Sequence, residues 1–414
     1  MSNEHNEQAP SGAEILHLAE VLNDVRNGTK EAPTIVEPTP YEWVELEDIP
    51  PRPWIYGQDY CRGVMTLTIA PGGLGKSTLC LTEAIAMASG RNLVAPCMNV
   101  DRAKAWYFNL EDPKQELQRK IAAACRYHGL SKEDLDSHLF VNSGLDTPLI
   151  TASETETGIV IEPVFESIEK AVKAHSLDIL IIDPFVSSHS LSENDNTKID
   201  RIAKRWAKLA NDCNIAVSLV HHTRKNNGMG STDTESARGA KSLTDAARVV
   251  RVLNQMTKEE AEQAELELGQ HRQFFRLNRD KANLAPAEHE RQWMQIVSVY
   301  PQGQEDDANA SVGAVTRWDF PSAFDGVTVN HLYQFQKAID GEFPGADVRA
   351  SDWAGHDLAR VCGLSPDDPA DKSKLKRMIA GYEKTGAIKR IPQQRRNGSG
   401  KRPVFEVAKW SEIG

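Results

Sequence analysis

Residues Ala70-Pro71-Gly72-Gly73-Leu74-Gly75-Lys76-Ser77-Thr78 constrain this chain more than any other stretch. They follow a short apolar run, Val64–Ile69, and open a helical pattern over Lys76–Ser89. Gly72, Gly73 and Gly75 let successive backbone N–H groups converge on one point without Cβ clashes. Lys76 adds a positive charge there, and Ser77 a hydroxyl able to ligate a divalent cation. The helix start contributes the positive end of its dipole. Strand, glycine turn and helix in that order make a phosphate-binding loop of Pro71, Gly72, Gly73, Leu74, Gly75, Lys76, Ser77 and Thr78. The strict pattern begins with Gly where this chain has Ala70. That departure is mild, because the Gly-Lys-Ser end and its context are intact.

From Trp54 to about Pro301, apolar strands alternate with helical stretches. This rhythm predicts an α/β core with a largely parallel sheet and helices on both faces. The chemically interesting residues fall at strand carboxyl ends, where such folds place ligands. The buried strand Asp178–Ile182 ends in Asp183, a carboxylate suited with Ser77 to Mg²⁺. The strand Ala105–Leu110 runs into Glu111-Asp112-Pro113. Either carboxylate can polarise an attacking water; the reading favours Glu111 for that and Asp112 as a helix cap with Pro113 at the first helical position. The strand Ile215–Val220 ends in His221-His222, one of which can sense a γ-phosphate, His222 being preferred slightly. Beyond it, Lys225–Lys241 is rich in Gly, Ser and Thr with basic flanks, a composition that fits a backbone-tracking loop or a plain surface loop.

Taken in order, these elements resemble the RecA-type ATPases, and more narrowly the RepA-type plasmid replicative helicases, which are homohexameric rings. The resemblance runs from about Gly63 to Trp293. It rests on the glycine loop, Glu111-Asp112-Pro113, Ile182-Asp183, His221-His222, Ser236-Ala237-Arg238-Gly239, Asp245 and Arg248 in the following strand, and Asp280-Lys281-Ala282-Asn283. It implies ATP and Mg²⁺ held between subunits by Lys76, Ser77 and Asp183. Glu111 then activates water, and Arg248 matches the arginine finger lent by a neighbour. Arg279 and Lys281 are rival finger candidates. The implied partner is DNA, single-stranded in a ring pore. The expected function is an ATP-driven DNA helicase or translocase; the alternative is a DNA-binding ATPase switch that does not unwind, such as a regulator or recombination mediator.

Charge and composition organise the rest. Residues 1–50 carry 11 acidic against 2 basic side chains, and read as an acidic disordered tail and linker. The ATPase domain is expected over 51–301, a linker over 302–324, and a winged-helix-like domain over 325–414. In that last part three helical stretches precede a hairpin with a basic tip. Residues 371–414 hold 12 basic against 4 acidic side chains, a footprint suited to duplex DNA. Lys372, Lys374, Lys376 and Arg377 fall on one helix, and Arg395, Arg396, Lys401 and Arg402 crowd the tip. No apolar run is long enough for a bilayer, and the six cysteines form no Cys-x-x-Cys pair, so the reading is cytoplasmic, with no membrane role.

Overall fold

The computed structural model describes residues 37–95, 101–155, 160–162, 164–193, 195–223, 241–267, 269–285, 292–394 and 400–411. The chain divides into two compact units, Met1–Pro51 and Arg52–Gly414. In the first, the described residues hold one 3₁₀ turn, Leu46–Asp48. The expected tail over 1–36 lies outside the described residues, as do the Lys225–Ala240 part of the Gly/Ser/Thr loop and the tip residues Arg395 and Arg396.

The second unit is built on a nine-stranded sheet. A small hairpin, β1 (Trp54–Tyr56) and β2 (Tyr60–Cys61), precedes β3 (Met65–Pro71), which leads into α1 (Lys76–Ser89). Then come β4 (Ala105–Asn109), α2 (Lys114–His128), α3 (Lys132–Leu135) and β5 (Leu139–Ser143). The two-residue strands β6 (Ser153–Glu154) and β7 (Val160–Ile161) precede α4 (Phe165–His175), β8 (Ile179–Asp183), α5 (Asn196–Cys213) and β9 (Ala216–Thr223). The chain continues through α6 (Lys241–Ala246), β10 (Val249–Gln255), α7 (Lys258–Gln263), β11 (Phe274–Ala282), β12 (Gln292–Val299) and β13 (Val312–Trp318).

The sheet order is β13-β12-β11-β10-β3-β9-β8-β4-β5. The six strands from β10 to β5 are mutually parallel, and β11 to β13 extend the sheet antiparallel. The expected α/β core with a mostly parallel sheet is therefore present. Its central strands read as continuous apolar runs because both faces are covered. One core lies under Trp206 and Phe165, and the other under α1 with Leu79, Ile85 and Met87.

Two expectations change. Residues 302–324, read as a linker, contain β13, which pairs with β12 over its whole length. An acidic, glycine-bearing run masks its start, and a strand whose pattern is only partly buried leaves a weak periodic signal. Asp245 lies in α6, and Arg248 falls just before β10 rather than within it.

The last elements are α8 (Val329–Ile339), α9 (Ala354–Cys362), α10 (Pro369–Lys384) and the hairpin β14 (Ile388–Gln394) with β15 (Lys401–Val407). They close over their own core of Phe335, Trp353, Leu375 and Phe405. Arg377 does not face outward with its neighbours. Its guanidinium donates to the carbonyls of Gln263 (2.6 Å) and Pro321 (3.3 Å), tying α10 to the end of α7. Arg402 is likewise engaged, with both carboxylate oxygens of Asp352.

Candidate active site

Register places the site. Ala70 and Pro71 at the end of β3 stand beside His222 and Thr223 of β9, and Asn109 of β4 stands beside Asp183 of β8. The strand bearing the histidines thus lies between the glycine-loop strand and the Asp183 strand. Lys76, His222, Asp183 and Glu111 consequently converge along the carboxyl ends of neighbouring parallel strands.

The loop needs its glycines for different reasons. Gly73 (φ 80°) and Gly75 (φ 89°) occupy the left-handed region that L side chains avoid. A Cβ at Gly75 would also lie 2.7 Å from Ile296 Cδ1, so the loop rests directly on β12. In front of Gly72 and Gly73 a Cβ would meet nothing within 4 Å. That open space is where phosphate oxygens can reach the backbone. Gly75 caps α1 without a side-chain acceptor, which leaves the first amides of the helix for an anion.

Lys76 is only 3% exposed, and its Nζ donates to His222 Nδ1 at 2.7 Å. Burial lowers the Lys76 pKa, and Asp183 opposes that effect. Accepting at Nδ1 requires the neutral imidazole with its proton on Nε2. Burial first, and then the Lys76 charge, hold the His222 pKa below its ordinary value. The Nε2 is buried without a hydrogen-bond partner and stands 4.0 Å from Glu111 Oε2, too far for a hydrogen bond. Glu111 is half exposed, as a residue meeting a water must be.

Asp183 is 1% exposed. Its Oδ2 accepts from the Tyr107 hydroxyl at 2.6 Å, while Oδ1 is buried and meets no protein donor. A buried carboxylate oxygen without a partner is costly, and a cation or its bound water relieves that cost. Among the described residues no three His, Cys, Asp or Glu side chains cluster to hold a metal. Mg²⁺ needs no such cage: it takes one or two protein oxygens and completes its shell with water and phosphate. Asp183 and Ser77 fit that requirement.

Other expected residues fall elsewhere. His221 points away from Lys76; burial, with lesser effects from His222, His189 and Lys76, brings its pKa down to about 4. Asp112 does not cap α2. Pro113 is itself the N-cap, and Asp112 pairs with Lys120 at 2.6 Å. The reason is competition: Asn109 Oδ1 accepts from the amides of both Glu111 (3.0 Å) and Asp112 (2.6 Å), forming the turn before the helix can start. Arg248 lies at the opposite end of the strands, its amide bonded to the Met65 carbonyl at the start of β3. Across the seven residues of β3 this is about 20 Å from its own glycine loop. Arg248 is exposed, whereas its rival Arg279 is bound to Asp59 (3.1 Å) with 5% of its side chain accessible. Lys281 donates to the Thr244 carbonyl at 2.7 Å.

Tyr107 and Asn109 escaped the sequence reading. The available signal was an Asn two residues before Glu111, a spacing that favours a side-chain-closed turn. A cleft of about 730 Å³ adjoins the loop, lined by Thr78, by Arg119, Lys120 and Arg126 of α2, and by Tyr300 and Val312 of the β12–β13 connection. Its size suits a nucleoside.

These features are consistent with a P-loop ATPase core, in which a strand, β9, lies between the glycine-loop strand and the Asp183 strand. Residues 32–228 match a family model described as an AAA domain. The matched stretch contains β3, α1, Glu111, Asp183 and His222; it stops before Arg248 and the last four strands of the sheet. Among the described residues no helix is long and apolar enough to cross a membrane.

Proposed function

We propose that the chain is an ATP-hydrolysing DNA helicase or translocase of RepA type, working as a homohexameric ring on single-stranded DNA in plasmid or mobile-element replication. The observation that carries this reading is the Lys76–His222 hydrogen bond between the ends of two paired strands. A γ-phosphate competes with His222 for Lys76. The imidazole is then released, and β9 continues from it directly into residues 224–240. Nucleotide state is thereby sensed at the end of β9. Glu111, beside His222, takes the proton of the attacking water. Mg²⁺, when bound at Asp183 and Ser77, supplies positive charge to the β and γ oxygens. Arg248 is too far from its own loop to serve it, which supports a finger acting on a neighbour's nucleotide. The nucleoside end of ATP occupies the cleft beside Thr78.

The reading also assigns residues 325–414 a winged-helix role on duplex DNA. With Arg377 and Arg402 engaged internally, Lys374, Lys376 and Lys401 are its phosphate contacts. Replacing one of them by Ala should weaken duplex binding evenly across sequences and lower the salt slope by about one.

The test is a strand-unwinding assay with ATP, run beside a mass measurement of the assembly. Strand separation by a particle near six times 45.9 kDa is the expected result. ATP hydrolysis and DNA binding without strand separation would replace it with the non-unwinding switch. Full turnover by isolated protomers would remove the ring.

A further inference from the structure

Asp183 and the turn bearing Glu111 are joined by a line of buried polar contacts. Tyr107 and Asn109 stand two residues apart on β4, so their side chains share one face of the sheet. Asn109 is the ladder neighbour of Asp183, and Tyr107 pairs one step back with Ile181. The Tyr107 hydroxyl donates to Asp183 Oδ2 at 2.6 Å and accepts from Asn109 Nδ2 at 3.3 Å. The other end of the same amide, Oδ1, takes the backbone N–H groups of Glu111 and Asp112. Tyr107 and Asn109 are both buried.

We infer that Tyr107 and Asn109 are a positioning pair: Tyr107 occupies one oxygen of Asp183 so that the other is presented to the metal, and Asn109 fixes the Glu111 turn to that same hydroxyl. The amide is used at both ends, which accounts for Asn rather than Ser or Asp. Asp would lose the donor to Tyr107 and put a second charge beside Asp183. Ser is too short to reach both partners. The carboxylate rotamer and the base-bearing turn are therefore set together, through two buried side chains. This rests on the reading of Asp183 as the metal carboxylate.

The experiment uses the full-length chain and two variants, Tyr107→Phe and Asn109→Ala. Binding of a fluorescent ADP analogue is titrated with Mg²⁺ and also measured in EDTA. Loss of an outer-shell partner typically lowers metal affinity by roughly 10–100-fold. Tyr107→Phe should raise the Mg²⁺ concentration at half-effect by about tenfold or more, while leaving metal-free nucleotide affinity within about twofold. Asn109→Ala should lower turnover about tenfold at saturating Mg²⁺; at one fixed subsaturating Mg²⁺ concentration, where both single variants lose turnover, the double variant should lose less than the product of the two turnover losses, as expected for residues in one network. Thermal unfolding of each variant separates loss of fold from loss of positioning. If Tyr107→Phe stays folded with an unchanged Mg²⁺ requirement, or the two losses simply multiply, the pair is structural and the inference is overturned. If the wild-type chain itself shows no Mg²⁺-dependent nucleotide binding, the metal-site reading fails first and takes the inference with it.

Discussion

Helix α1 passes through two buried polar clusters of opposite character. At its first residue Lys76 meets His222 and lies in the field of Asp183, and two atoms of that cluster, Asp183 Oδ1 and His222 Nε2, are buried without partners. Two turns on, Glu83 meets Arg251, which has no exposed surface. Arg251 reaches Glu83 at 2.6 and 2.9 Å, Thr68 at 2.8 Å, and the Tyr60 hydroxyl, which donates to Glu83 in turn. Asp59 lies 3.7 Å from Arg251 and also pairs with Arg279. None of these side chains has an orphaned buried atom. Lys76 and Asp183 are nearly as buried as Arg251 and Glu83, and the two clusters differ in satisfaction. The closed cluster ties α1 to β10, β3 and β2; the open one keeps two buried polar atoms that no protein group satisfies.

The comparison is broken most severely at the other end of the strands. Arg248→Ala should cut turnover of the assembled protein by about 10³–10⁵-fold while ATP binding persists. Mixed with Lys76→Ala subunits, it should recover part of the activity, because each subunit type supplies what the other lacks. Absence of rescue would place the finger elsewhere. Arg279→Ala, by contrast, removes a partner of Asp59 and should act on stability.

Within the closed cluster, Arg251→Met should destabilise the fold by about 3–5 kcal/mol in denaturant unfolding, since it strands the Glu83 carboxylate in the interior. Pairing it with Glu83→Leu should recover part of the loss, because the stranded carboxylate is gone and only the Tyr60 and Thr68 hydroxyls lose partners. A double variant no better than the single one would show that the network does more than neutralise itself. In the open cluster the pattern reverses: Lys76→Ala should lower kcat by about 10²–10³-fold with a stability change within about 1 kcal/mol. Near wild-type turnover would remove Lys76 from the chemistry.

What the sequence revealed follows the same division. The glycine loop was legible because its requirements are local: positive φ at Gly73 and Gly75, a lysine and a hydroxyl at a helix start. Helix Lys76–Ser89 was bounded to the residue by local punctuation, Gly75 and Gly90. Asp183 and His222 were legible as polar ends of apolar strands. Their meeting was not, since it depends on β9 inserting between β3 and β8. Tyr107, Asn109 and Arg251 acquire meaning only from neighbouring strands. Arg251 did leave one trace, a charge inside the run Val249-Val250-Arg251-Val252-Leu253, which a buried parallel strand tolerates only with a partner. Strand β13 was lost because its own pattern is weak and its partner, β12, provides the order.

The smallest effect concerns His221, which shares β9 with His222 but faces the opposite way. Its pKa falls from an unfolded value near 6.5 to about 4 in the fold, chiefly through burial. The unfolded chain therefore binds more protons between those limits, and stability must rise with pH across that window. Below about pH 5 carboxylates titrate too, so the clean interval is pH 5–7. There this histidine alone should account for about 2 kcal/mol of unfolding free energy, lost as pH falls. His222 contributes in the same direction, its pKa being lowered as well. The difference between wild type and His221→Leu isolates the buried ring: the variant's stability should vary less with pH over this interval, by about that amount. Equal slopes for the two proteins would mean that His221 finds a proton-tolerant setting in the fold. The unpartnered Nδ1 would then have acquired water, and His221 would belong with the open cluster rather than with the core behind it.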